Sequence, residues 1–426
     1  MTNREITRRS VLKGGAALAA ALPLAGYARH AFAQSGKLSL MLLGPSTDTT
    51  DAVKNRILPA FKEKTGIDVE LQQSDWGSGF QKVVTAAASG TLADVIMLGG
   101  IWTAPLASKN ALLPIDDYLA KWDDKANFYD AMIADGSYKG VNYGLPLYSD
   151  TRTCLYRKDI LETAGITEDK VPANWDDFRA MAQAVAKAGG SAAASPVFWN
   201  HDKSIGLQQS FAQLMLQAGG TYWGDDGSAQ FSSDAGQAAL EYMVSFFKDN
   251  LSNINQVYSG SGPMPVVAGS SVTHFGGVST INNARTNAPD ITAQIIAGKP
   301  LAAKAGGAPV TSAWINKLAI SARAKDPDAA WELLSFLTNK DNSETLSDLY
   351  GGLPARKDNL DADYLKDIPA ELPAAAQYVV PQPAHPNMLV IAPQINTSVE
   401  KALRMQADPK SVLAELDSKL NEINGL

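Results

Sequence analysis

The sequence predicts an α/β protein of two domains, built on doubly wound sheets with helices on both faces. Two observations carry this. Beyond an export-like leader about 390 residues remain, more than one hydrophobic core usually holds. Between residues 37 and 98, short apolar runs alternate with segments of helical period, the order that builds a parallel sheet with right-handed crossovers.

The elements follow in chain order. KLSLMLLG (37–44) is a short apolar run closed by Gly-Pro and reads as a buried strand. AVKNRILPAFKEKTG sets Val53, Ile57, Leu58 and Phe61 on one face and ends at Gly66, a helix with a glycine C-cap and a kink expected at Pro59. IDVELQQ alternates as a strand, QKVVTAAASG is a helix ending at Gly90, and ADVIML (93–98) is a second buried strand. Ligands of such sheets bind beyond the carboxyl ends of the strands. There stand Ser74-Asp75-Trp76-Gly77 and Gly99-Gly100-Ile101-Trp102, two loops that each carry a tryptophan. Packing over the sheet edge is the alternative reading of either ring. Trp122, Trp175 and Trp331 read as structural: one on an amphipathic segment, one in a capping turn, one in an apolar stripe with Leu334 and Leu337 behind the cap Asp326-Pro327.

The amino end carries Arg8-Arg9, an apolar stretch from Gly14 to Gly26 that is too short to span a bilayer, and Ala31-Phe32-Ala33. Residues 1–33 therefore read as a removable export signal, and the arginine pair resembles the twin-arginine address, with cleavage near Ala33 into the periplasm. The full chain carries −7, and removing the leader's five basic and one acidic residues brings it to about −11. No Lys/Arg cluster then remains to suit nucleic acid or anionic lipid. Cys154 is the one cysteine; it excludes an internal disulfide and reads as a buried small hydrophobe. There is no H-E-x-x-H, G-x-S-x-G or P-loop, and the histidines are too scattered for a metal site, so neither metal nor cofactor is expected.

GVNYGLPLYSDTRTCLYRKDILETAGI (140–166), VPANWDDFRAMAQAVAKAGG with Asn174 as cap and Asp177 three residues on, residues 218–249, LYGGLPARKD (349–358) and the tail from Ile395 form an ordered set. Together they resemble the family 1 extracellular solute-binding proteins that serve sugar importers of the ATP-binding-cassette class. The resemblance implies the two-lobed, type II periplasmic-binding-protein fold with a hinge of crossing segments. The first lobe would hold residues 36–148 and 306–353, and the second 149–305 and 354–426. The crossings would fall near 147–150, 302–308 and 353–356, where small residues or proline can absorb rotation. It also implies a monomer that hands its ligand to inner-membrane permease subunits.

A sugar presents hydroxyls and an apolar C–H face, so its site needs flat aromatic surfaces and planar polar groups. The resemblance carries the ligand contacts to Trp102 and Asp150 first, with Trp76, Asp75, Arg152, Trp199, His201, His274, Phe275, Trp314, Tyr350 and Arg356 as further candidates. His274 and Phe275 replace an aromatic usual in the family, which leaves the stacking role there open. Each candidate also has a plainer reading: core packing for Trp199 and Trp314, a surface ion pair for Arg356. A polyol, a glycerol phosphate ester or an organic anion is the alternative ligand, the last two requiring convergent arginines such as Arg152, Arg285 and Arg356. A secreted glycoside hydrolase is the alternative class; it would need two carboxylates about 5–9.5 Å apart, and no hydrolase motif accompanies Asp150.

Overall fold

A computed structural model describes residues 37–199, 206–258, 262–380 and 384–426; the expected leader (1–33) and His201 lie outside the described residues. The strands are β1 (Leu38–Leu43), β2 (Val69–Ser74), β3 (Val95–Leu98), β4 (Ser137–Tyr138), β5 (Val141–Asn142), β6 (Gly144–Thr151), β7 (Thr153–Arg157), β8 (Thr273–Gly276), β9 (Ile295–Ala297), β10 (Ala313–Ile320) and β11 (Leu353–Pro354).

The six-stranded sheet of the first lobe runs β11-β6-β10-β3-β1-β2. β1 is parallel to β2 and β3, as the strand–helix alternation requires, and β10 and β11 enter antiparallel to their neighbours. The second sheet is small and antiparallel, ordered β8-β7-β9, and a parallel bridge joins Val197 to Thr273 beside it. β6 ends at Thr151 and β7 begins at Thr153, so Arg152 alone separates a strand of the first sheet from a strand of the second.

The cores follow this division. One apolar cluster joins residues from Leu38 to Tyr148 with Leu318 to Leu346 and Ala355. Another joins Cys154 to Leu301 with the closing helices Met388–Leu403 and Pro409–Asn424. A smaller cluster, centred on Leu155, Val266 and Ile281, reaches Leu353 and Leu372.

Local chemistry explains the elements. Gly66 and Gly90 adopt the left-handed conformation that closes their helices. At Pro59, which cannot donate to the ladder, the strain is taken up as a π-helical turn, Val53–Ile57, immediately ahead of the helix Leu58–Thr65. Asn174 caps the helix Trp175–Ala188 by accepting from the Asp177 amide at 3.1 Å, and its side-chain amide donates to the Asp177 carboxylate at 2.6 Å. Trp122 and Trp331 meet edge to face, with Tyr118 stacked on Trp331, inside the first lobe. Asn174→Ala should lower stability by about 1 kcal/mol, read as a shift in the urea midpoint at unchanged slope.

Candidate functional site

The carboxyl ends of β1, β2 and β3 converge on an aromatic shelf. Trp76 and Trp102, expected in loops, both stand at helix starts. Asp75 is the cap of the helix Trp76–Ser89: its Oδ1 accepts from the Ser78 amide at 2.8 Å and its Oδ2 from the Ser78 hydroxyl at 2.5 Å. These bonds hold its carboxyl below the usual range, the hydroxyl bond first. Both oxygens accept from Ser78 and so cap the helix, a role the expectation of a ligand contact at Asp75 did not include. The sequence concealed this start because Gly77 and Gly79, poor helix formers, occupy its first turn.

The two rings, both expected as ligand contacts with Trp102 first, differ in exposure. Trp102 is 6% exposed and wedged edge-on between Trp76 and Phe80, at 5.9 and 5.3 Å between centroids, while Trp76 is 39% exposed. Trp76 thus offers the free face and Trp102 is its support. Gly44, with φ of 57°, makes room for Trp76: a Cβ there would lie 2.2 Å from the indole nitrogen. A fully buried lysine that sequence reasoning missed holds the loop from behind. Lys317 Nζ donates to the Gly100 carbonyl at 3.2 Å and to the Asp135 carboxylate at 2.5 Å, its stem lying where Gly144 lacks a side chain.

Next to the shelf is the junction of the sheets. Gly100 abuts Trp314, the β10 residue that pairs across the ladder with Asp150 on β6. Asp150 Oδ2 accepts from Arg152 Nε at 3.0 Å and Nη2 at 2.6 Å; Arg152 Nη1 reaches Gln209 Oε1 at 2.9 Å. The guanidinium lies over the Trp314 ring, 4.3 Å from its centroid. Asp150 Oδ1 is buried without a partner. Trp102, Trp314, Asp150 and Arg152 are thereby brought into one contiguous arrangement.

The second-lobe wall is built from β8 and the helix Gly206–Gln217. His274 and Phe275 of β8, together with Trp199, line a cavity of about 160 Å³ that Arg152 and Gln209 border. Helical spacing puts Gln209, Gln213 and Gln217 on one face of that helix, a stripe legible in LQQSFAQLMLQ. Burial, then the nearby Arg152 charge, push the His274 imidazole down to about 4, so it is neutral at pH 7. Tyr350 stands apart, stacked on Tyr148 at 5.1 Å, its hydroxyl buried and unpartnered, on a shallower crevice that shares Tyr258, Met264 and Ser279 with the cavity.

Arg356, expected as a further ligand contact, is not among the residues that line this cavity. It is 2% exposed and donates to Asp124 at 2.6 and 2.9 Å, to Asp358 at 2.9 and 2.8 Å and to the Thr338 carbonyl at 3.0 Å, over the Phe128 ring. Its guanidinium holds both carboxyls below their usual range. With its donors occupied in this way, it ties the segment after β11 to Asp124 and Thr338.

The family model of the bacterial extracellular solute-binding proteins matches residues 45–344. The chain belongs to that family. Its two-lobed fold is that of maltose-binding-type proteins. A protein of Brucella abortus (strain 2308), named only as a putative binding protein, is 24% identical over 376 residues, covering 85% of this chain and 87% of its own. The solute-binding protein of an ABC transporter from Thermotoga lettingae TMO, bound to alpha-D-tagatose, is 25% identical with a TM-score of 0.80, covering 91% and 100%. Maltose-bound MalE3 of T. maritima shares the fold at 22% identity and a TM-score of 0.80, covering 91% and 99%.

For this solute-binding protein two outcomes follow from the geometry. Trp102→Ala should cost about 3–5 kcal/mol of stability, seen by calorimetry, because the ring is wedged among aromatics; Trp76→Ala should cost far less. Since the folded-state value of His274 lies below its unfolded one, the unfolded chain takes up the proton first. Stability from this group is complete above about pH 7 and declines toward pH 4, by up to about 1.4 kcal/mol per pH unit. His274→Gln should flatten that part of the urea-unfolding profile.

Proposed function

We propose that the chain captures an uncharged sugar or polyol between its lobes and presents it, chemically unaltered, to an inner-membrane ABC permease. One observation carries the ligand class: at the junction Arg152 is bonded to Asp150 and Gln209, while Asp150 Oδ1, buried and unpartnered, is left to accept from a ligand hydroxyl. An anion would have to compete with the Asp150 carboxylate, which already balances the charge of Arg152. The exposed Trp76 face supplies the apolar surface a C–H face needs.

The lobes are taken as residues 36–148 with 306–353 and 149–305 with 354–426, turning about the crossing at Arg152. A ligand touching both lobes binds the closed state better and shifts the equilibrium by that difference in affinity. Export by the twin-arginine leader, cleavage near Ala33 and action as a monomer in the periplasm complete the reading. Binding without catalysis is supported by membership of a solute-binding family.

A thermal-shift series with D-tagatose, maltose, ribitol and glycerol 3-phosphate tests the class. A neutral compound should raise Tm through mass action and elute unchanged by chromatography after incubation. Stabilisation by glycerol 3-phosphate alone would replace this reading with anion capture. Asp150→Asn should weaken the best neutral ligand about tenfold, about 1.4 kcal/mol, by isothermal titration.

A further inference from the structure

The chain that leads from Leu372 to the closing helices is anchored in the second lobe at both ends. Leu372 lies in the small cluster around Leu155, and Met388, fully buried, joins the second core. Near the latter end the His385 ring stacks on Trp223 at 4.5 Å, and the Asn387 side-chain amide donates to the Ile423 carbonyl at 3.2 Å.

Between these anchors, two described stretches reach beyond the second lobe. At 378–380 the chain pairs with Thr311 in the return crossing: the Thr311 amide donates to the Tyr378 carbonyl, and the Val380 amide to the Thr311 carbonyl, both at 2.9 Å. The Val310 carbonyl accepts from Gln213 at 2.6 Å and from Gln217 at 3.1 Å, and the Thr311 hydroxyl donates to the Arg152 carbonyl at 2.5 Å. These bonds hold the crossing to second-lobe segments as far as Thr311. At 384–389 the same chain meets the first lobe. Leu389 packs against the first-lobe core, and Ile101 packs against both cores. Ala384 borders, with Gly100, Ile101 and Thr103, a chamber of about 20 Å³. That loop carries Trp102, the support of Trp76. The seam is not sealed, since such a chamber has room for one water and the Thr103 hydroxyl beside it is buried without a partner.

We propose that this segment is a strap: clamped to the hinge at Thr311 and laid against the Trp102 loop, it holds the ligand-free lobes closer together than the crossings alone would. Parting the lobes returns the apolar surfaces of Ile101, Ala384 and Leu389 to water, which opposes opening. The proposal rests on the two-lobed hinge of the solute-capture reading.

Spin labels at Glu63→Cys and Ser418→Cys, one exposed position on a helix of each lobe, report the interlobe distance by double electron–electron resonance; Cys154 is buried and stays unlabelled. In the ligand-free protein, Val380→Pro, which removes the amide donated to Thr311, and Leu389→Ala, which trims the first-lobe contact, should each move the distribution to longer distances. Val379 is already extended, at φ −70° and ψ 125°, as the residue before a proline must be. The Val380 side chain is 36% exposed, so little packing is lost, and circular dichroism reports whether the variant folds. If it does not, Leu389→Ala decides. Distributions that superimpose on wild type overturn the strap. Adding D-tagatose, maltose or ribitol to the labelled wild type tests capture separately: a distance that none of them changes removes closure on a neutral ligand, while the strap is judged by the ligand-free variants alone.

Discussion

Arg152 is the residue on which the arrangement turns. It is the single residue between β6 of the first sheet and β7 of the second, and its side chain is committed on both sides of that link. Asp150 and Trp314 hold it from the first sheet, Gln209 from a second-lobe helix, and its own carbonyl accepts from the Thr311 hydroxyl at 2.5 Å. Rotating β7 against β6 changes the backbone angles of this residue and so displaces a guanidinium already bonded in both directions. The unpaired oxygen of Asp150 belongs to that same carboxylate. On the proposed reading, ligand acceptor and hinge are two atoms of one group, and hinge position and ligand affinity are one equilibrium seen from two ends.

Such a paired charge at a half-buried site adds little net stability, since desolvation offsets much of the attraction. Its value lies in geometry. A planar fork with two bonds to one carboxylate oxygen fixes that carboxylate's orientation more tightly than a lysine could. Around it the described lining residues are otherwise uncharged: His274 is held neutral by burial and by the same guanidinium, and the thiol of Cys154 is pushed up to about 12 by burial.

The fold was legible in the sequence where period and punctuation act locally. The strands β1 to β3, the glycine caps at Gly66 and Gly90 and the Asn174 cap all depend on residues within a few positions of each other. The tryptophans beyond the ends of β2 and β3 were legible too, as the residues that follow two apolar runs. What could not be read was which ring faces outward and which charge is already taken. Arg356 finds Asp124 across 232 positions, and Lys317 finds Asp135 across 182, so neither pairing leaves a local trace. Asp75 did leave one, a serine three residues on, but two early glycines masked the helix it caps. The glutamine face of residues 206–217 was a visible stripe, overlooked because amide side chains are common on solvated helices.

The composition of the second core bears on how the protein is made. Residues 154 to 301 bury their apolar face against the helices Met388–Leu403 and Pro409–Asn424, so this half cannot complete its interior until those last helices leave the ribosome. The intervening chain, 313 to 354, belongs to the other sheet and is synthesised in between. During that interval nascent polypeptide displays a greasy, half-built surface, a natural client for holdase chaperones. Passage across a membrane in finished form would have to wait for translation to end.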